Sequence, residues 1–339
     1  MLKFFRKIRF KLIRGSKTAK YLKYAVGEII LVVIGILIAV GINSLYNKSQ
    51  NEAKINTILK QVQQDLIVDI NDAKRIYDVY IEKDSLYRKI INDTSSFENF
   101  QKNPYPLQIT GNYVSFSNKK GGYKRVVDNI ENLPEDYNFL LPYFNLLYIE
   151  MQNDIDDYNT FIKNTAMIGG KELNSKYPRF AEYQLGRYPK EAQRVYYNDP
   201  GLKNHTFFYI NDLRNISQAA NSYRIQSIKL YKAIDSLLNS QPDDYKAPLS
   251  VLPNAQDYKS YLGEYKNILG DTRNKLNIVN DNGQLVFEQL ERDNLKIYWH
   301  KGEYYYSDFG IIIRLFTNKT GDKLMEVRTN VMREIYKKI

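Results

Sequence analysis

The chain has 339 residues, 43% hydrophobic and 26% charged, a make-up that belongs to folded protein rather than disorder and leaves room for about two domains. Its net charge of +11 is concentrated at one end: residues 1–23 hold nine Lys or Arg and no acid, while the rest holds 40 basic against 38 acidic side chains. A body so close to neutral excludes a general nucleic-acid surface, and the absence of cysteine excludes disulfides, thiolate nucleophiles and Cys-ligated metal sites.

The leader, MLKFFRKIRFKLIRGSK, sets Phe5, Ile8 and Leu12 at helical spacing among cations. It reads either as an interfacial helix whose Lys3, Arg6, Lys7, Arg9, Lys11 and Arg14 touch anionic lipid, or as a topology signal alone. Gly15 would end that helix, and Ser16 is placed to cap the next.

KYLKYAVGEIILVVIGILIAVGINSLYN follows at 20–47. A hydrocarbon core ~30 Å thick needs roughly 20 helical residues. Ala25 to Leu45 supplies 21, which predicts a transmembrane helix over 24–46. Only Glu28 is ionisable within it, about 4.5 Å past Ala25 by the helical rise, near enough to the interface to snorkel or to bond Tyr24. Another reading joins Glu28 to Val32, Gly35, Ala39 and Asn43, which share one helical stripe. Small residues let helices approach, and Glu28 and Asn43 would hydrogen-bond across the contact, so Glu28, Gly35, Ala39 and Asn43 form a candidate face for a second copy or a membrane-protein partner.

The preceding cations hold the leader in the cytoplasm and send the bulk of the chain outward, into the periplasm of an inner-membrane protein. Ala39-Val40-Gly41 loosely resembles a signal-peptide cleavage site, but the long leader and span favour an uncleaved anchor.

FFRKIR, KYLKYAVGEIILVVIGILIA and the following IN resemble the N-terminal signature of an uncharacterised family of single-pass membrane proteins from flavobacteria and related Bacteroidota. The likeness covers residues 3–45. It implies an inner-membrane protein of unknown function and supplies no catalytic residue. The chain departs from the pattern at INSLYN, where an Asn-Asn-Trp-like continuation is expected and Tyr46 stands in for an aromatic anchor.

Beyond the span, Ile55, Leu59, Val62, Leu66, Ile70, Ala73, Tyr77, Tyr80, Tyr87 and Ile91 recur in steps of a long amphipathic helix, with Asp84 breaking the row. The seam is expected to be buried within a bundle, with a coiled coil between two copies as the alternative. A loop around Pro104 and Pro106 is predicted next, then a turn at Gly121-Gly122. Pro134 opens a helical stretch to about Asn164, with Phe144, Leu147, Met151, Ile155, Tyr158 and Ile162 on one face and a kink at Pro142. An irregular portion is expected over 171–199. A third long helix runs from Leu202 to Ser240, where Leu213, Ile216, Ala220, Tyr223, Tyr231, Ile234 and Leu238 repeat and Ser227 fills a gap.

After a proline-bearing linker at 241–257 the period becomes two, in Leu285 and Phe287, in Leu295, Ile297 and Trp299, and in Ile311, Ile313 and Leu315. Turns fall at Asp281–Gly283, Lys301-Gly302 and Asn318–Asp322. Residues 258–339 read as a small antiparallel sheet or partly closed barrel, and YLGEY at 261–265 is similar to the start of β domains appended to bacterial extracytoplasmic hydrolases.

The fold class expected is therefore a membrane-anchored α+β chain: a basic leader (1–23), a transmembrane helix (24–46), an extracytoplasmic antiparallel helical bundle (47–240), a linker (241–257) and a small antiparallel β domain (258–339). G-x-S-x-G, P-loop, G-x-G-x-x-G and H-E-x-x-H motifs do not occur, and no cofactor is expected. His205 and His300 are the only histidines, one near a helix start and one at a strand end. Asp154, Asp156 and Asp157 read as a solvated helix face, with metal binding as the rival. Asn280–Gly283 echoes a calcium loop, but Ile278 and Gln289 occupy ligand positions, so a hairpin turn is expected. Tyr304-Tyr305-Tyr306 would make a binding strip only if all three shared a face, which strand alternation forbids. The functional expectation is a non-enzymatic scaffold with the bilayer as one partner. An envelope ligand sensor and an envelope hydrolase with an unrecognised site are the alternatives.

Overall fold

The computed structural model describes residues 18–91, 97–98, 113–176, 199–238, 256–269, 275–289, 292–328 and 333–339, with scattered positions between 182 and 198. Residues 1–17 of the basic leader, the Pro104/Pro106 loop and most of the expected linker lie outside the described residues, while residues 18–23 of the leader already belong to the first helix.

Helix α1 runs unbroken from Thr18 to Ile91. Its 74 residues span about 111 Å at ~1.5 Å each. No proline interrupts it, and its glycines, Gly27, Gly35 and Gly41, all fall in the apolar first part. That part, long and apolar enough to cross a membrane, leaves its side chains exposed all round: Leu31 is 73% exposed and Ile42 63%. The second part has one buried stripe, Ile55, Leu59, Val62, Leu66, Ile70, Ala73, Tyr77, Tyr80 and Tyr87, as the helical spacing predicts.

That stripe is covered from within the chain. Helix α2 (Gly121–Val127), 3₁₀ turns at Ile130–Asn132 and Glu135–Leu140, α3 (Leu141–Asn145), a π-helical turn at Leu146–Glu150 and α4 (Met151–Lys176) lead to the long α5 (Pro200–Leu238). Antiparallel packing of α5 on α1 is fixed at three levels, by Gln63 with Asp235, Tyr223 with Asp69, and Ser217 with the Ile76 carbonyl. Helix α4 packs on α5 through Thr165–Asp212 and through His205 lying against Gly169. The twin glycines open α2 rather than a free turn. A Cβ on Gly122 would stand 2.7 Å from the Val62 backbone nitrogen, so this close approach requires glycine. The expected kink at Pro142 takes the form of a change of helix type, 3₁₀ before α3 and π after it, because proline supplies no N–H to a continuing helix. Helix α4 continues to Lys176, into the portion expected to be irregular.

The chain re-enters through a 3₁₀ turn at Gln256–Tyr261, where the end of the linker was expected, and forms strands β1 (Gly263–Leu269), β2 (Lys275–Asp281), β3 (Gln284–Gln289), β4 (Arg292–Lys301), β5 (Tyr304–Ser307), β6 (Ile312–Thr317), β7 (Lys323–Arg328) and β8 (Arg333–Lys338). Each pairs antiparallel with the next, and β8 pairs with β1, so the sheet is a fully closed barrel rather than an open or partly closed one. Closure removes the two edges that an open sheet would expose. Asn282 (φ 49°) and Gly283 (φ 87°) form a two-residue turn between the paired Asp281 and Gln284, the geometry that Asn-Gly favours. Tyr265, Leu276, Ile278, Leu285, Phe287, Ile297, Tyr305, Ile313, Leu315, Met325 and Tyr336 fill the interior.

Candidate functional site: the junction of bundle and barrel

The outer wall of the barrel rests on the distal half of α1 and on α5. Tyr304 and Tyr306 point outward from β5 into the core of the bundle, while Tyr305 between them points into the barrel, so alternation divides the tyrosine triplet as expected. The Tyr77 hydroxyl donates to the Tyr305 carbonyl at 2.9 Å, and the Tyr77 and Tyr306 rings meet edge to face at 6.1 Å. On α5, Gln218 donates to the Arg328 carbonyl and Ser222 to the Phe309 carbonyl. Gly310, at φ 78°, lies where a Cβ would strike Ser222 and Gln218.

At the centre lies a charged cluster. Asp84, fully buried, accepts from Arg88 Nε at 2.7 Å, Arg328 Nη1 at 3.2 Å and the Tyr304 hydroxyl at 3.1 Å. Glu326, 2% exposed, accepts at Oε1 from Arg328 Nε (2.7 Å) and Arg333 Nε (2.6 Å), and its Oε2 faces Arg88 Nη1 at 2.9 Å. Burial alone would raise the Glu326 carboxyl, but the guanidiniums of Arg328, Arg88 and Arg333 outweigh it and hold the group at about 2. Both carboxylates thus sit among guanidiniums, and Glu326 takes its hydrogen bonds at Oε1 while Oε2 has the charge of Arg88 beside it. Burial would lower Arg88 and Arg328, but Asp84 and Glu326 around Arg88, and Tyr80 with the same two carboxylates around Arg328, raise both. The arrangement joins bundle and barrel in one register.

His300 and Asp78 extend the junction. Their Nε2 and Oδ1 atoms lie 2.7 Å apart, and burial lowers the His300 pKa despite this neighbour. The bonds from His300 and Lys74 outweigh burial at Asp78 and keep its carboxylate ionised, so the imidazole donates and Asp78 accepts. His205 is lowered by burial too and packs against Gly169 of α4, near the start of α5. The two histidines occupy separate places, His300 on Asp78 and His205 against Gly169.

A second buried polar cluster holds the extended segment 113–120 against the bundle. Phe116 is clamped through its N–H and carbonyl by the Asn159 amide (3.0 and 2.7 Å), and its ring packs on Tyr223. The Lys119 N–H donates to Asp69 at 2.9 Å and the Gly122 N–H to Asp65 at 2.7 Å. Asp69 also accepts from the Tyr223 hydroxyl at 3.2 Å. Burial pushes its carboxyl up to about 7, against the pull of these bonds. The Tyr148 hydroxyl and the Asn118 amide are buried nearby without a hydrogen-bond partner.

Glu28, Gly35, Ala39 and Asn43 are all exposed on α1, and a Cβ on Gly35 would meet nothing within 4 Å. Among the described residues nothing packs against the stripe at Gly35. Lys3, Arg6, Lys7, Arg9, Lys11 and Arg14 lie outside the described residues. Asp154, Asp156 and Asp157 are exposed on α4. Among the described residues no group of three or more His, Asp or Glu side chains is placed to hold a metal ion.

Sequence reasoning missed Glu326, Arg328, Arg333 and Asp69. It met Asp84 only as a flaw in the seam, and a carboxylate at a core position was the available signal. The chain matches no protein-family model, no curated protein and no solved structure.

Proposed function

We propose that this chain is a single-pass inner-membrane protein that works as a non-enzymatic scaffold, carrying its barrel at a fixed height above the bilayer on the periplasmic side. The observation that supports it is the continuity of α1: one helix supplies both the exposed apolar stretch and the buried seam of the bundle. From Leu45, the end of the apolar stretch, to Asp84, under the barrel, is roughly 58 Å of uninterrupted helix. Packing by α5, itself backed by α4, stiffens that rod, and the buried ion pairs fix the barrel to its far end. The orientation follows from the basic leader. Contacts with a second copy or a membrane partner belong to Glu28, Gly35, Ala39 and Asn43.

The native chain has no cysteine, so an introduced one is the sole thiol. An impermeant maleimide should label Lys319→Cys, on the exposed β6–β7 turn, in intact spheroplasts and Ser16→Cys only after lysis. The opposite pattern overturns the topology. In-cell crosslinking that captures neither a second copy nor a partner counts against the scaffold. Hydrolysis of esterase, peptidase or glycosidase substrates by the purified chain, abolished by His205→Ala or His300→Ala, would replace it with an enzyme.

The same unbroken rod supports a sensor as a second reading, because a shift at Asp84 would be passed along α1 to the span. A ligand-dependent change in crosslinking at Gly35→Cys would favour it.

A further inference from the structure

Where α1 leaves its apolar stretch, an open groove of about 1010 Å³ separates it from the 3₁₀ turns of the bundle. We propose that this groove docks the phosphoethanolamine headgroups of the leaflet that faces the bundle. The inference rests on the membrane-spanning reading.

Position comes first. The groove begins at Val40 and Asn43, within the apolar stretch, and continues to Glu52, with the Glu131–Asp136 segment as the opposite wall. Tyr137 fixes that segment to α1 by donating to Asn56 at 2.9 Å. If the stretch lies in hydrocarbon, the groove lies at headgroup depth, because the polar layer of each leaflet begins where the apolar side chains end. Lipid headgroups beside the span then face directly into it.

Chemistry selects the headgroup. Asn43, Asn47 and Asn51 follow one another at four-residue steps on the α1 wall with Lys48 beside them, so this wall offers amide and ammonium donors, tempered by Glu52. The other wall offers Glu131, Glu135 and Asp136, all exposed and without a salt bridge among the described residues. Donors face acceptors across the gap. A phosphoethanolamine group matches both walls, its phosphate to the asparagines and Lys48, its ammonium to the carboxylates. Phosphocholine has the same charges but no N–H to donate, and an anionic headgroup without an amine would meet three carboxylates. Ile130 and Phe139, 44% and 49% exposed, flank the acidic wall and supply apolar contact with the same interface.

The test uses the full chain in nanodiscs of equal parts phosphatidylethanolamine and phosphatidylcholine, or phosphatidylglycerol and phosphatidylcholine, with co-released lipid counted by native mass spectrometry. Phosphatidylethanolamine should be retained about tenfold over phosphatidylcholine, the equivalent of one charge-assisted hydrogen bond. The variant Glu131→Gln/Glu135→Gln/Asp136→Asn should retain the two equally, with its thermal unfolding unchanged. Equal retention by the native chain, preference for phosphatidylglycerol, or an undiminished preference in the variant overturns the proposal. Failure of the membrane reading shows separately, as a chain that floats with vesicles of none of these compositions.

Discussion

The seam between α1 and α5 and the junction between α1 and the barrel are buried alike but built of opposite materials. In the seam, Leu59, Val62, Leu66 and Ile70 meet Ile216, Ala220, Ile228 and Ile234, all at 2% exposure or less. One helical turn beyond Tyr80, on the same face of the same helix, Asp84 is as deeply buried and lies among guanidiniums. Apolar packing stabilises without regard to partner identity, and its strength grows with area. A buried ion pair contributes little net stability, because desolvation offsets the attraction, yet it penalises every arrangement that leaves one charge alone. We read the seam as what makes the rod and the cluster as what fixes where the barrel sits on it.

The largest expected effect comes from taking one charge away at the junction. Glu326→Ala leaves three buried or half-buried guanidiniums, Arg88, Arg328 and Arg333, with Asp84 as the carboxylate remaining among them and should cost about 3–5 kcal/mol, the usual result of breaking a buried pair. Trp299, the only tryptophan, sits in β4 and reports the barrel, whereas far-ultraviolet circular dichroism is dominated by the helices. In urea the two signals should move together in the native chain, with the tryptophan transition falling first in the variant. Coincident, unshifted transitions would mean that the cluster does not hold the barrel.

The two regions should also respond to pH with opposite sign. Glu326 is depressed from its ordinary 4.5 to about 2, so its stabilisation is complete above the unfolded value and is lost as pH falls through about 2. Asp69, in the bundle, is raised from 3.8 to about 7, so its contribution is complete below 3.8 and is lost as pH rises through about 7. Asp69→Asn mimics the protonated carboxyl, which still accepts from Lys119. It should therefore stabilise the chain above pH 7, by up to about 4 kcal/mol at roughly 1.4 kcal/mol per unit of displacement, and change little at pH 4. Urea midpoints at the two pH values decide it; destabilisation at both removes the titration argument.

The seam itself should be forgiving. Ile216→Val deletes one methylene from a fully buried site and should cost about 0.5–1.5 kcal/mol, with both spectroscopic transitions shifting together. A loss as large as that of Glu326→Ala would erase the contrast.

How much of this was legible in the sequence follows from the same contrast. Helical spacing located the buried stripe of α1 because side-chain position repeats with the backbone, and Ser227 fell in the core on that ground alone. The turn at Asn282-Gly283 and the split of Tyr305 from Tyr304 and Tyr306 are likewise local consequences of φ preference and strand alternation. Asp84 was legible only as an interruption because its partners Tyr304 and Arg328 lie 220 and 244 residues away. Closure of the barrel was hidden for a similar reason, since it depends on β1 meeting β8, and no local pattern states that pairing. The break at Pro142 was legible from the missing N–H, but its form, a π turn at Leu146–Glu150, was not.

Asp78 tests the contrast within one residue, because its two partners live in different environments. Lys74 reaches it at 3.2 Å from the same helix with half its side chain in solvent, and His300 reaches it at 2.7 Å from the barrel with a side chain only 4% exposed. An exposed pair four residues apart on a helix is worth about 0.3–0.5 kcal/mol and is screened by salt. Lys74→Ala should therefore cost no more than about 0.5 kcal/mol, fading in high salt. His300→Ala leaves the carboxylate without its barrel partner and opens a gap against Tyr77, whose ring lies 4.4 Å from the imidazole, so its cost should be larger and insensitive to salt. If a double-mutant cycle with Asp78→Asn gave the two partners equal coupling, burial would not be what separates the junction from the surface of α1.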